Sequence, residues 1–238
     1  MFDADNIIQS PIFDDPWRHQ IISNFFNKED FKKIEIAAAK LLEKYKDTVI
    51  TSGDCLSFAQ VYETIGDDVF DIIFKSNRSI LDNMQSIVDQ FPNHRRFKNY
   101  ISIPTFHILP PNVAPQKVHD EAYDKTASIV VYLYPTTSVG TAMFRSQDRD
   151  SFVKEIEWVP NTGMMFCGEK NVTWHDFYSK DVPRVTLNYF LRKLDDQALA
   201  ETQDNYYWKH LEGPITYVPK SLPADKLKLT LTGMFQSL

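Results

Sequence analysis

Cysteine is nearly absent from this 238-residue chain, which holds only Cys55 and Cys167. The two lie far apart, with neither the short spacing of a zinc knuckle nor that of a redox pair, so a disulfide framework and a cysteine-based metal cluster are both excluded. A reducing, cytoplasmic setting is the expectation. Positive charge is also in deficit, with a formal net charge of −6. The chain as a whole therefore offers no electrostatic footprint for a phosphate backbone, and nucleic acid is not an expected partner. The one basic cluster, His94, Arg95, Arg96 and Lys98, has no series of stacking aromatics beside it and reads as a solvated junction. No run approaches the roughly 20 apolar residues of a membrane span. The acidic start MFDADNIIQSPIFDDPW lacks the basic opening and long apolar run of a secretory leader, so no membrane association is expected. Internal repeats and low-complexity segments are missing as well.

What is present suits a packed globule. Apolar residues make up 43% and aromatic residues 13%, enough to bury a sizeable core. The length fits a single domain over residues 1–238, with a helical support region at 1–99, a β core at 100–192 and C-terminal strands and loops at 193–238. Asn27 can cap a helix, with Asp30 three residues on, and Phe31, Ile34, Ala38, Leu41 and Tyr45 then recur at helical spacing. A second helix is predicted over 78–91 from Ile80, Met84, Ile87, Val88 and Phe91, ended by Pro92 and Asn93. The pattern over 55–75 is ambiguous.

From Tyr100 the period changes. Short β-rich runs fall at 100–109, 127–134, 141–145, 155–159, 163–167, 172–178 and 184–192, separated by Pro, Gly, Asn and Asp clusters. Ile215 to Val218 and the alternating Leu227, Leu229 and Leu231 add two more candidates. Seven short strands at this spacing predict a sandwich or jelly roll. Helices first and strands afterwards predict an α+β fold, mainly β, with the N-terminal helices on one face of the β core.

The chemistry-bearing pattern begins with His119-Asp120-Glu121. In an extended segment residues i and i+2 point to the same side, so His119 and Glu121 can approach one metal while Asp120 faces away. An isolated His-x-Glu is ordinarily a polar loop. His175, within NVTWHDFY, and Arg184, nine positions further on in PRVTLNYF, make it a constellation. Two imidazoles and one carboxylate on one face of a metal leave three open positions, as oxygen-activating Fe(II) centres require. A buried arginine can hold a remote carboxylate through two parallel hydrogen bonds. By alternation Thr186 shares its strand face, with Asn188 and Phe190 following. The plainer reading of Arg184 is a surface ion pair with Asp181 or Glu169.

The pattern His119-x-Glu121, His175, Arg184-x-Thr186 resembles the 2-oxoglutarate and Fe(II)-dependent oxygenase superfamily over about residues 100–192. PWRHQIISNFFNKEDF and VVYLYP are most similar to prolyl-4-hydroxylase-like members of bacterial and phage type. The resemblance implies a double-stranded β-helix, a distorted jelly roll of cupin-like architecture flanked by helices. It implies His119, Glu121 and His175 as ligands of Fe(II), with Arg184 and Thr186 binding the distal carboxylate of 2-oxoglutarate. O2 completes the reactants, and the activity implied is hydroxylation of an unactivated C–H bond with release of succinate and CO2. The carboxylate is Glu where Asp is commoner, and the downstream cation is Arg where many prolyl hydroxylases carry Lys. Both departures weaken proline as the substrate while leaving the oxygenase class intact. A peptidyl proline or other protein side chain, a free amino acid, a small metabolite and a nucleobase are the substrate classes left open.

Further positions are weaker candidates. On the 100–109 strand Thr105, His107 and Leu109 share a face; His107 reads either as an oxoacid or ligand contact or as a satisfied core histidine. On the 127–134 strand the apolar face of Ala127, Ile129, Val131 and Leu133 is assigned to the cavity. That assignment makes Tyr132 structural, whereas the reversed face would make it a co-substrate contact. Trp174 and Phe166 are expected to pack beside the metal, and Asp176 either to support an imidazole or to be exposed. The competing reading is a cupin-type metal-dependent enzyme or metal-binding protein that does not use 2-oxoglutarate and gives Arg184 no role.

Overall fold

The computed structural model describes residues 3–51, 58–94, 100–122 and 124–193. A short helix α1 (Asp5–Ile8) and two brief strands, β1 (Ile12–Phe13) and β2 (His19–Ile22), precede α2 (Lys28–Lys44). The two strands were not foreseen, because two to four residues are too few to establish an alternation. Asn27 caps α2 as its sequence suggests: its Oδ1 accepts from the Asp30 amide at 2.9 Å. The helix buries Ile34, Ala37, Ala38 and Leu41. Replacing Asn27 by Ala should cost about 1 kcal/mol, read as a melting temperature lower by about 2–4 °C.

The helix predicted over 78–91 begins much earlier. Residues Phe58–Asp82 form α3, followed by α4 (Met84–Val88), so most of the ambiguous 55–75 stretch is helical. Gly66 interrupts α3 with φ 76° and ψ 175°, a conformation open to glycine at little cost. This break explains the ambiguity, since the apolar period restarts after it: Val69, Phe70, Ile73 and Phe74 are all buried. The basic cluster is corrected at its first member, because His94 is buried and its Nδ1 lies 2.6 Å from the Phe91 carbonyl. Arg95, Arg96 and Lys98 lie outside the described residues, as do the C-terminal candidates Ile215 to Val218 and Leu227 to Leu231.

The β part contains β3 (Tyr100–Leu109), β4 (Lys125–Tyr134), β5 (Ala142–Phe144), β6 (Phe152–Glu155), β7 (Gly163–Cys167), β8 (His175–Asp176) and β9 (Arg184–Lys193). The 155–159 prediction is displaced, because a 3-10 turn at Arg149–Ser151 launches β6 early. The 172–178 prediction shrinks to two residues behind Asn171, whose φ of 62° places it in the left-handed region. All strand pairs are antiparallel and form two sheets, one of six strands in the order β1-β2-β7-β4-β9-β3 and one of three in the order β6-β5-β8. Pro104 is tolerated in β3 because that strand is at an edge of its sheet.

Each central strand divides its side chains between two environments. Ala127, Ile129, Val131 and Leu133 of β4 and Val185, Leu187, Tyr189 and Leu191 of β9 join one cluster with Ile34, Leu41, Phe70 and Ile80 of the helices. Burial of such side chains supplies about 1.5–3 kcal/mol each. The helices thus cover one face of the large sheet, as expected, and the alternate positions are left to face a pocket shared with the small sheet.

Candidate active site

The even-numbered residues of β9, Arg184, Thr186, Asn188 and Phe190, line that pocket. They are joined by His107 and Leu109 of β3, Val130 of β4, Phe166 of β7, His175 of β8, and His119 and Glu121 from the loop before β4. The pocket, counted together with the open solvent at its mouth, spans about 550 Å³. The β9 alternation expected from sequence therefore holds, and Arg184 and Thr186 share one cavity with both histidines. Thr105, expected on the same face as His107, does not reach the pocket lining.

His119 and His175 are brought together by their backbones, which exchange hydrogen bonds of 3.1 and 2.9 Å. Their ring centroids are 4.5 Å apart. In each ring Nδ1 lies close to the carbonyl two residues earlier: Lys117 at 2.9 Å for His119 and Thr173 at 2.8 Å for His175. A carbonyl can only accept, so each Nδ1 carries its proton, and Nε2 is the atom that the neutral form of each ring presents to a metal. Burial pushes His175 down to about 4, against the opposing pull of Glu121. Phe166 packs on its ring at 4.8 Å and Trp17 at 6.5 Å. Phe166 thus sits beside the histidine pair as anticipated, whereas Trp174 joins a neighbouring cluster with Val118, Ala142 and Phe144.

Glu121 is buried and pairs with Lys125 Nζ at 2.8 Å. It also accepts from Ser128 Oγ. Burial alone would raise its pKa, but Lys125 holds the carboxyl at about 2. Gly168 makes room for it, since a Cβ there would come within 2.8 Å of Glu121 Cβ. Asp120 turns away as alternation requires, its Oδ2 accepting from the Asn171 amide at 2.8 Å. Among the described residues no three His, Cys, Asp or Glu side chains stand in metal-holding geometry, because the Glu121 carboxylate is directed at Lys125 and Ser128. The donors themselves, two imidazoles with free Nε2 atoms and an ionised carboxylate in one pocket, fit a divalent cation chemically.

Arg184 is only 3% exposed. Its Nη1 donates to the Gly140 carbonyl at 3.0 Å and its Nη2 to Thr141 Oγ1 at 3.5 Å. The guanidinium lies 5.7 Å from the Trp158 ring centre and 5.8 Å from that of Tyr132. Burial lowers its pKa, but a guanidinium remains protonated. No carboxylate among the described residues forms an ion pair with it, so the plainer reading of a surface pairing with Asp181 or Glu169 is excluded. Gly140 is indispensable to this arrangement: a Cβ there would lie 1.7 Å from the Ile156 carbonyl oxygen.

Two buried polar atoms of the pocket lining stand unpaired among the described residues, His107 Nε2 and Asn188 Oδ1. With Nε2 unpaired, His107 departs from the satisfied core histidine that was the favoured reading of the sequence. Burial, with Lys125 and Arg184 nearby, holds its pKa at about 3, so it is neutral.

The face assignment of β4 is reversed. Ala127, Ile129, Val131 and Leu133 pack under the helices, while Ser128, Val130 and Tyr132 lie on the site side. A dry layer between helices and sheet takes the wholly apolar face, and the mixed face is left for a cavity needing polar partners. Tyr132 nonetheless does not line the pocket. Its hydroxyl donates to Thr141 Oγ1 and accepts from the Thr141 amide, both at 3.1 Å, and its ring stacks on Trp158 at 4.7 Å. Asp176 is neither exposed nor bonded to an imidazole; it is fully buried and pairs with Arg149 at 2.6 Å. Sequence reasoning missed Lys125, Ser128, Thr141, Phe177 and Arg149. Only Lys125, four positions after Glu121 and opposite in charge, carried a local signal.

No protein-family model and no curated protein matches this sequence. Among solved structures, a Trichoplax adhaerens prolyl hydroxylase in complex with a hypoxia inducible factor oxygen degradation domain peptide fragment superposes with a TM-score of 0.51 and 12% identity, over 76% of this chain and 86% of that one. The chain shares its fold with that protein. A Pseudomonas putida prolyl-4-hydroxylase aligns over 80% of this chain and 93% of its own, with 13% identity and a TM-score of 0.47. A viral collagen prolyl hydroxylase from Paramecium Bursaria Chlorella virus-1 aligns over 78% and 96%, with 16% identity and a TM-score of 0.46. At these identities the prolyl hydroxylase likeness is one of fold, and the chemistry rests on the pocket itself.

Proposed function

We propose that this chain is an Fe(II)-dependent oxygenase using 2-oxoglutarate as co-substrate, with its two sheets forming a double-stranded β-helix within a single domain. One observation carries the reading: a buried guanidinium with no carboxylate partner among the described residues lines the same pocket as two imidazoles whose Nδ1 atoms are held by backbone carbonyls. An uncompensated buried charge is costly, and a site that retains one is matched to an anionic ligand.

His119, Glu121 and His175 would hold the iron, which with 2-oxoglutarate and O2 supplies hydroxylation of an unactivated C–H bond coupled to decarboxylation to succinate and CO2. Arg184 binds the distal carboxylate of the oxoacid, and Thr186 adds a hydroxyl beside it. The neutral His107 offers Nε2, and Asn188 its amide, to the same ligand. Leu109, Phe166 and Phe177 exclude water and so strengthen these polar contacts. Glu121 stays ionised through Lys125, ready to accept a cation without first losing a proton. The substrate class proposed is a protein side chain such as proline, or an amino acid.

The test is anaerobic addition of Fe(II) and 2-oxoglutarate, with a visible charge-transfer band expected together with succinate release in air. A cupin-type enzyme that does not use 2-oxoglutarate would bind the metal and give neither signal. Arg184→Lys should weaken 2-oxoglutarate about 10- to 100-fold, because a charge-assisted hydrogen bond contributes about 1.5–3 kcal/mol and a two-pronged donor becomes a point charge. Calorimetric titration should find metal affinity unaltered. Equal oxoacid affinity in both proteins would remove Arg184 from the site.

A further inference from the structure

The two histidines sit on little regular structure. β8 is two residues long, and His119 belongs to no strand, meeting His175 only through an isolated bridge. The bridge's two backbone hydrogen bonds are braced by a further contact. Arg149, in the turn after β5, reaches both segments from outside the pocket. Its Nη2 donates to the Gln116 carbonyl, three residues before His119, and to Asp176 Oδ2 at 2.6 Å, next to His175. Asp176 is completely buried, and its Oδ1 accepts from the Phe177 amide at 2.7 Å. This carboxylate has no other cation bonded to it among the described residues.

The turn presenting Arg149 is itself well braced. Asp148 Oδ1 accepts from the Asp150 amide at 3.0 Å, Ser151 Oγ donates to the Asp148 carbonyl at 2.6 Å, and the Ser146 amide donates to Ser151 Oγ at 3.0 Å. The Arg149 guanidinium also lies 5.7 Å from the centre of the Phe144 ring. The Arg149 side chain is 46% exposed, yet its guanidinium has fixed partners on the protein side in Gln116, Asp176 and the Phe144 ring.

We propose that Arg149 is a positioning residue that clamps the Gln116 and Asp176 segments together and thereby sets the spacing of the His119 and His175 imidazoles. The proposal rests on the reading of those histidines as metal ligands. Arg149 touches neither metal nor substrate in it; it acts through the backbone that carries them. Both bonds leave the same nitrogen, so a lysine ammonium, with three donors of its own, can serve the same acceptors but without the fixed orientation of a planar guanidinium.

Co(II) is the probe, titrated into the metal-free protein without oxoacid, with affinity and the intensity of its d–d bands as readouts. Arg149→Gln should weaken Co(II) about 10- to 100-fold, the range typical of residues that orient ligands, and alter the band shape. Arg149→Lys should recover part of the loss. Asn27→Ala, which lowers stability far from the site, should leave both readouts unchanged. If Arg149→Gln lowers the melting temperature while Co(II) affinity and spectrum stay those of the parent protein, the residue is merely structural and the proposal is overturned. Should Arg149→Gln fail to fold, Arg149→Lys and Asp176→Asn decide by the same two readouts. His175→Ala runs in parallel. If it binds Co(II) as the parent protein does, the metal reading itself falls and takes the clamp with it; if it does not bind while Arg149→Gln binds normally, only the clamp fails.

Discussion

Replacing His175 by Ala should abolish tight Fe(II) binding and succinate formation together, a loss larger than the roughly 100-fold caused by altering a residue that only orients a ligand. The expectation follows from geometry: Nδ1 is committed to the Thr173 carbonyl, so Nε2 is the atom available to a cation. It also follows from electrostatics, since burial keeps the ring neutral and no proton has to leave before coordination. Truncation also opens space beside Phe166 and Trp17, so stability should fall by about 2 kcal/mol or more. His175→Gln separates the two effects, because it restores volume and a backbone contact without an imidazole. Retained turnover in a folded His175→Gln protein would rule out the assigned role.

Gly140→Ala should have the largest effect of any glycine-to-alanine change among the described residues. The added carbon would lie 1.7 Å from a backbone oxygen of Ile156, and a backbone atom cannot swing aside as a side chain can. The segments must separate, at a cost of about 3 kcal/mol, the upper end for overpacking, or about 6–12 °C in melting temperature for a domain of this size. The Gly140 carbonyl is also the closest partner of Arg184, so oxoacid affinity should fall with stability. Thermal unfolding and oxoacid titration of the same preparation check both; loss of stability with full oxoacid affinity would uncouple Gly140 from the guanidinium.

Much of the site was legible because alternation in a strand is strict. His119 and Glu121 point one way and Asp120 the other, and Arg184, Thr186, Asn188 and Phe190 line one wall, as a period of two dictates. The face of β4 was misjudged because both its faces contain large apolar residues, so period alone does not say which meets the helices. The deciding factor is tertiary: Ser128 must reach Glu121, whereas Ile129 and Val131 are surrounded by helix side chains. Arg149 and Thr141 were invisible for the same reason, since their partners Gln116, Asp176 and Arg184 are distant along the chain. The earliest strands escaped because they are too short to repeat, and the first half of α3 because Gly66 interrupts its apolar rhythm.

The two-sidedness of β9 carries one last implication. Odd positions answer to solvent exclusion under the helices and even positions to the needs of a ligand, so neighbours in sequence obey unrelated rules of substitution. A slip of a single residue against β4 would exchange the two sets at once, driving a guanidinium into hydrocarbon and emptying the pocket of its polar wall. The pairing of Val130 with Asn188 and Tyr132 with Thr186 is therefore under double constraint, enforced from the dry side and from the chemical side alike.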